Sequence, residues 1–181
     1  MAITALFALP LQSAEETVFQ QGMNAAKKGD YVLAVDRFTD AIRVNPQDWA
    51  ANFYRGLAYD HLGEYNKAIL DYGEAILIDP QKAEPFNEIA WLLATCPKAE
   101  LRDGKKALEY AGKAMEITGG IDPATIDTLA AAFAESGNFE KAIQSQKQYL
   151  AMPKLSEKHM TEARERLALY EAHKPYHAPE K

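Results

Sequence analysis

The stretch from Gly22 to Pro46 reads GMNAAKKGDYVLAVDRFTDAIRVNP, and the stretch from Gly56 to Pro80 reads GLAYDHLGEYNKAILDYGEAILIDP. The two stretches align without a gap at an offset of 34 residues. In both, small residues, a glycine turn followed by tyrosine, and a final proline recur at the same steps. A fixed period of this kind predicts a stack of similar small units rather than one globular core. The matched pairs are Gly22 and Gly56, Gly29 and Gly63, Tyr31 and Tyr65, Ala34 and Ala68, Ala41 and Ala75, and Pro46 and Pro80.

The spacing indicates that each unit consists of two helices joined by a short turn that contains glycine. Small residues at fixed steps let the two helices approach closely, and the aromatic residue after the turn fills the gap beside them. Pro46 and Pro80 mark the end of the second helix, because proline cannot continue it. The chain has 31 Ala but only 4 Val. Since Ala is the strongest helix former and Val favours strands, we expect an all-α chain.

Two less regular units follow. In the third unit Ala90 takes the place of Gly56, but the next small residues, Ala107 and Ala114, come five residues late. The additional residues fall in the turn, at positions 94–102. The fourth unit is marked by Ala130, Gly137, Phe139 and Ala142.

This pattern resembles the tetratricopeptide repeat, or TPR, of bacterial proteins over residues 15–153. The resemblance implies a right-handed α-solenoid of about four helix-turn-helix units. One departure is Arg55, where the family usually has an apolar residue. Gln146 and Tyr149 are further departures from the family pattern. Because of them, we expect the last repeat helix to pack less regularly. The expected units are residues 15–48, 49–82, 83–120 and 123–153.

The residues after Pro153 predict a capping helix over 154–173. Ser156 is a suitable N-cap, and the apolar residues that follow step by three or four, which gives one apolar stripe opposite a charged face. A terminal helix of this kind covers the end of a repeat array. We expect residues 174–181 to form an irregular tail. The stripe consists of Met160, Ala163, Leu167 and Tyr170.

Residues 1–14 are uncharged and mostly apolar, and they support two interpretations. One is the remnant of a signal peptide, with Pro10 as the helix breaker and Ser13 and Ala14 as the small residues before a cleavage site. The other is an N-terminal helix packed on the first unit, since no positive charge precedes the apolar run. The first interpretation favours a periplasmic or secreted protein over a cytoplasmic one.

Composition excludes several classes of protein. The net charge is −6, the pI is about 5.3 and no basic block is present, so nucleic acid is not an expected partner. No apolar run reaches the roughly 18 residues that span a bilayer. With one cysteine, the chain has no internal disulfide and no cysteine-based zinc cluster.

The residues that usually carry catalysis are scattered. None of the four histidines lies in a metal-binding frame, and His173 and His177 are separated by Pro175. Cys96 stands in the long turn with no adjacent histidine to activate it, which favours a buried structural cysteine over a reactive thiol. We therefore predict a protein that is not an enzyme and that needs no cofactor or metal.

The resemblance implies that the first helix of each unit lines a concave groove for a peptide or helix of a partner protein. Aromatic and methionine side chains on such a wall are typical anchors, although any of them could instead pack between neighbouring helices. Tyr54 and Trp91 are favoured because they also carry polar groups. The candidate groove residues are Phe19, Met23, Phe53, Tyr54, Leu57, Asn87, Glu88, Trp91 and Asp127, with Gln20, Asp60, Thr128 and Glu135 beside them.

One well-known binding mode of the family grips the terminal carboxylate of chaperones with lysine, arginine and asparagine. Here the corresponding places hold Phe19, Met23, Tyr54, Glu84 and Glu88. Acids would repel a carboxylate, so this mode is not expected. The acids predict an apolar ligand segment with basic flanks instead, oriented by the glutamates and Asp127.

The sequence thus predicts a non-enzymatic adaptor or scaffold that binds another protein in the groove. The alternative is a self-assembling structural subunit, with a homodimer as its simplest form, or an accessory component of a bacterial envelope or secretion complex. Contacts for assembly would come from the apolar N-terminus or from the helix over residues 156–173.

Overall fold

The structure is a computed structural model and describes residues 16–181. The predicted leader or helix over residues 1–14 lies outside the described residues. Within the described range the chain forms nine α-helices, one 3-10 turn at Ala99–Leu101 and no strand, which confirms the all-α repeat fold. The helices are α1 (Val18–Lys27), α2 (Tyr31–Val44), α3 (Trp49–His61), α4 (Tyr65–Ile78), α5 (Ala83–Thr95), α6 (Gly104–Thr118), α7 (Pro123–Glu135), α8 (Phe139–Leu150) and α9 (Glu157–Glu171).

Local sequence sets where these helices begin and end. In seven of them a side-chain oxygen of the preceding residue accepts a hydrogen bond from an amide of the first turn, which satisfies a donor that the helix leaves unpaired. The turns at Gly29, Gly63 and Gly137 have φ between 72° and 83°, a conformation that glycine adopts without strain. The seven capping residues are Thr17, Asp30, Asp48, Asp103, Asp122, Asn138 and Ser156.

Each helix packs against the next one in the chain, so that α1 pairs with α2, α3 with α4, α5 with α6 and α7 with α8. Helix α9 follows on α8, and α5 also packs directly on α7. One pair of helices cannot bury its own apolar side, and stacking on the next pair completes that burial.

The small residues of the repeat stand where an aromatic ring crosses close to the helix backbone. A Cβ atom added at Gly22 would lie 2.7 Å from the Phe38 ring, and one added at Gly56 would lie 2.7 Å from the Tyr72 ring. Both rings are fully buried. The small residue is therefore needed because the large one on the following helix occupies its space.

The long turn of the third unit is held by Arg102. Its Nη1 donates to the carbonyl oxygen of Cys96 at 2.8 Å, and its Nε donates to Glu135 of α7 at 3.1 Å. The turn residue Cys96 is buried in the core, with 1% of its surface exposed. The extra residues thus tie α5 to α7 rather than forming a loose loop.

Arg55, the departure from the repeat pattern, has a buried partner. Its Nε and Nη2 donate to the two carboxylate oxygens of Asp71 at 2.7 Å each, and Nη1 donates to Thr39 at 3.3 Å. This arrangement links α2, α3 and α4. A polar residue is tolerated at an apolar position because every charged group is paired.

Candidate functional site

The first helices of the units carry two recesses of different chemistry. The recess between α1 and α3, here called the apolar recess, has a volume of about 230 Å³. Predicted residues Met23, Tyr54 and Leu57 line it together, and all three are half-buried. Its other lining residues are Ala26, Lys27, Tyr31, Ala58 and His61.

The aromatic neighbours of the apolar recess pack behind it. The Phe19 ring lies 5.7 Å from the Tyr54 ring, and Phe53 lies 5.3 Å from it on another side. Phe53 is 7% exposed and belongs to the core around Tyr72. Of these predicted groove residues, Tyr54 reaches the surface of the recess while Phe53 supports it from within.

His61 forms the edge of the apolar recess. Its ring stacks on Tyr31 with 4.2 Å between centroids and 5° between planes. Burial, and then the charge of Lys181, lower the pKa of His61 below its usual value. A lowered pKa favours the uncharged imidazole at the edge of this recess.

The second recess, here called the polar recess, lies among α5, α7 and α9 and has a volume of about 560 Å³. Four of the predicted groove residues line it together. They are Asn87, Glu88 and Trp91 from α5 and Asp127 from α7. Arg166 from α9 closes it.

Asp127 is engaged by its own chain. Arg166 donates to its two oxygens at 3.2 Å and 2.7 Å, and Gln146 donates at 2.8 Å. Arg166 is 6% exposed, so the pair is shielded from water. The negative charge of Asp127 is therefore neutralised within the fold, and Gln146, an unusual residue for the repeat, is used to complete this network.

Residues 174–181, here called the return segment, run back across this face in extended form. The Tyr176 ring lies 6.1 Å from Trp91, and the Arg166 guanidinium lies 5.6 Å from Trp91 and 5.8 Å from Tyr176. The His177 ring donates to Glu135 Oε2 at 2.8 Å, since a carboxylate can only accept. The segment thus begins over α5, α7 and α9.

The return segment then reaches α3. The amide of Ala178 donates to the carbonyl oxygen of Thr95, at the end of α5, at 2.7 Å. Lys181 Nζ donates to the Asp60 carbonyl oxygen at 2.9 Å and lies 2.9 Å from Asp60 Oδ2. The segment therefore crosses the ends of α7, α5 and α3 in turn.

The charges of Asp60 and Lys181 act on Glu88 near the end of the return segment. Burial raises the pKa of Glu88 to about 7, the charge of Asp60 raises it as well, and a hydrogen bond from Asn87 and the charge of Lys181 lower it. Burial and the charges of Glu88 and Asp60 also raise the pKa of the Tyr72 hydroxyl. Buried oxygens of Asp60, Asn87 and Tyr72 have no hydrogen-bond partner within residues 16–181.

Cys96 lies outside both recesses and is buried. Burial raises the pKa of the Cys96 thiol, which keeps it protonated. In the described part of the chain, no three His, Cys, Asp or Glu side chains come close enough to hold a metal ion. No described helix is long and apolar enough to cross a membrane.

Sequence reasoning missed Arg166, Tyr176, His177 and Lys181. The role of Arg166 could not be predicted, because α9 contains many charged residues and nothing in its sequence indicates which acid Arg166 binds. The return segment did carry a signal, since Pro175 and Pro179 hold the backbone extended and bracket an aromatic residue.

Comparisons with known proteins agree with the repeat pattern. Residues 19–87 match the family model described as tetratricopeptide repeat. The chain is 30% identical over 137 residues to the small glutamine-rich tetratricopeptide repeat-containing protein 2 of Saccharomyces cerevisiae, an alignment that covers 72% of this chain and 38% of that protein. The chain thus spans well under half the length of this curated relative.

Solved structures share the fold. PilW, described as a widely conserved type IV pilus biogenesis factor, is 24% identical, with a TM-score of 0.66 over 74% of this chain and 60% of that one. A thermophilic TPR protein of Thermus thermophilus is 22% identical, with a TM-score of 0.69 over 88% of this chain and 82% of that one. At these identities the likeness concerns the fold alone.

Proposed function

Because this chain is a tetratricopeptide-repeat protein, we propose that it is a non-enzymatic adaptor that binds an extended segment of a partner protein. Proteins with this fold generally serve as scaffolds for protein–protein interaction. The proposed binding face consists of the apolar recess and the polar recess, on the first helices of the units.

The observation that carries the proposal is the return segment itself. An extended stretch of chain already lies across this face, with a backbone hydrogen bond to Thr95, an aromatic contact to Trp91 and a cation on Asp60. A surface that accepts extended backbone from its own chain has the shape and the hydrogen-bonding groups to accept it from another.

The chemistry of the face favours an apolar ligand residue with basic flanks. The apolar recess can bury one side chain against Met23, Tyr54 and Leu57. Asp60 on α3 and Glu88 on α5 are acids, and they favour a cation in the ligand. Since Arg166 already neutralises Asp127, that acid does not attract a ligand cation, whereas Asp60 and Glu88 have no arginine partner among the described residues.

A peptide-display selection against the full chain would test the proposal. We expect selected peptides to bind Met23→Ala and Leu57→Ala variants at least ten-fold more weakly, because each substitution removes apolar area from the recess. Ile121→Ala is the matched control, since Ile121 is 77% exposed and lines neither recess. Equal affinity for all three variants, with helix content unchanged, would overturn the proposal.

Self-assembly is the second candidate, and one observation favours it. Five of the large apolar residues that are strongly exposed in the described range stand on α2 and α4, the second helices of the first two units. Exposed apolar groups concentrated on neighbouring units are typical of an interface. The five are Val32, Leu33, Val44, Leu70 and Leu77.

Sedimentation at two protein concentrations tests the second candidate. A dimer that becomes monomeric in a Leu70→Lys, Leu77→Lys variant would support assembly through this face. A monomer whose mass does not change with concentration would exclude it.

A further inference from the structure

The Lys181 ammonium group lies against Asp60 and the Tyr65 ring, which together are here called the lysine pocket. Its Nζ contacts the carbonyl oxygen and Oδ2 of Asp60, each at 2.9 Å, and lies 5.7 Å from the centroid of the Tyr65 ring. Two oxygen acceptors and an aromatic face are the partners that a lysine ammonium prefers. The Lys98 ammonium lies 5.4 Å from the same ring and adds a second cation nearby.

One polar atom of the pocket is not satisfied by the fold itself. Asp60 Oδ1 is buried without a hydrogen-bond partner in the range 16–181. Buried polar atoms without partners are costly, and they are common where a ligand supplies the missing contact.

We infer that Asp60 and Tyr65 form a lysine-binding pocket at the end of α3, which Lys181 fills in the free protein and a partner's lysine takes over on binding. The inference rests on the proposed adaptor function and specifies the ligand. The return segment is then an internal competitor that a partner must displace.

The contacts of the return segment also define a register for the partner. An aromatic residue occupies the place of Tyr176 against Trp91 and Arg166. The amide two residues later binds Thr95, and the lysine five residues after the aromatic one enters the pocket. A partner segment with this spacing meets the same groups.

The return segment is suited to exchange. It has no helix, its residues His177, Pro179 and Lys181 are exposed at the surface, and few polar contacts hold it. Because it is tethered, it competes at a high effective concentration and lowers the apparent affinity for any partner. Weakening it should therefore strengthen binding in trans.

Two amidated and acetylated peptides provide the test. The first is KPYHAPEK, the sequence of residues 174–181, and the second has alanine in place of its last lysine. Both are titrated against the full wild-type chain and against a Tyr176→Ala, Lys181→Ala variant, with binding followed by fluorescence anisotropy. Lys158→Ala, at an exposed lysine of α9, is the control for the loss of a positive charge.

We expect the first peptide to bind the double variant at least ten-fold more tightly than it binds the wild type or the control. We also expect it to bind the double variant at least ten-fold more tightly than the alanine peptide does. Adding Asp60→Asn should remove this difference between the peptides. Equal binding of the two peptides, or no binding of either, would overturn the lysine pocket.

Failure of the pocket and failure of the adaptor function give different results. If Met23→Ala and Leu57→Ala weaken selected ligands but the two peptides are not distinguished, the pocket is wrong and the adaptor function stands. If the peptides are distinguished but the recess variants bind selected ligands as tightly as the control does, the proposed adaptor function is overturned and the pocket stands.

Discussion

The apolar recess between α1 and α3 is lined by Met23, Tyr54 and Leu57, whereas the polar recess among α5, α7 and α9 contains an ion pair and an aromatic contact made by the chain itself. Both recesses stand on helices built by one repeat pattern. The contrast indicates that the small and aromatic residues which set the helix packing leave the chemistry of the exposed face undetermined. One half of the face can therefore stay apolar while the other is filled.

The two regions also differ in what their arginine side chains connect. Arg55 joins neighbouring repeat helices through Asp71, and its side chain is 19% exposed. Arg166 joins the terminal helix α9 to α7 through Asp127, and its side chain is 8% exposed. The first pair stabilises the inside of the array, and the second attaches the helix that ends it.

Removing Arg166 should have the largest effect on stability. An Arg166→Ala variant leaves Asp127 buried with only Gln146 as a partner, and we expect a loss of about 3 kcal/mol in the free energy of unfolding. Arg55→Ala should cost less, about 2 kcal/mol, because its site is more open to water. Urea titration followed by circular dichroism measures both, with the exposed Lys158→Ala as the control. A larger loss for Arg55→Ala would reverse the comparison.

The titration of Glu88 on α5 should make the stability of the protein depend on pH. The folded pKa of Glu88, about 7, lies above the value of 4.5 for an unperturbed glutamate, so its folded form binds more protons in this window. Its contribution is then fully present below pH 4.5 and is lost as the pH rises through 7. The groups that act on it are Asp60, Asn87 and Lys181.

A Glu88→Gln variant removes this titration. Relative to the wild type, we expect its free energy of unfolding to rise by about 2 kcal/mol between about pH 4.5 and about pH 8. Urea titrations at several pH values across this window measure the difference. If the difference between the two proteins does not change with pH, Glu88 is charged throughout and the prediction is wrong.

Glycine substitutions should distinguish close packing in the two halves. A Cβ at Gly104 would lie 2.5 Å from the backbone nitrogen of Ser136, which cannot move aside, while one at Gly56 would meet the Tyr72 ring. We expect Gly104→Ala to cost about 2 kcal/mol and Gly56→Ala about 1 kcal/mol after the gain in helix propensity. Thermal unfolding measures both.

Gly73→Ala is the matched control for these glycines. Apart from its chain neighbours and the nearby backbone of its own helix, no atom of the described residues lies within 4 Å of a Cβ added there. The substitution should stabilise α4 by about 0.5 kcal/mol, the smallest effect expected here. If Gly73→Ala destabilises the protein, steric overlap of the added Cβ does not explain the costs of Gly104→Ala and Gly56→Ala.

Much of the fold could be predicted from the sequence, and less of the site. The pairing of helices follows from Gly56, Tyr65 and their repeats, because those residues act on neighbours within one unit. The partner of Arg55 could not be predicted, because Asp71 is one of several acids at helical spacing. Phe53 and Tyr54 are adjacent in sequence, but only the packing around Tyr72 decides that Phe53 lies in the core.

An all-α array of stacked helix pairs follows from the sequence alone, because helix propensity, caps, glycine turns and close helix contacts act over a few turns of chain. Which polar groups on the groove face are already used became visible only once the whole chain was folded. Asp127 meets Arg166 across 39 residues, and Asp60 meets Lys181 across 121. Contacts at such separations depend on the path of the whole chain, and no local pattern records them.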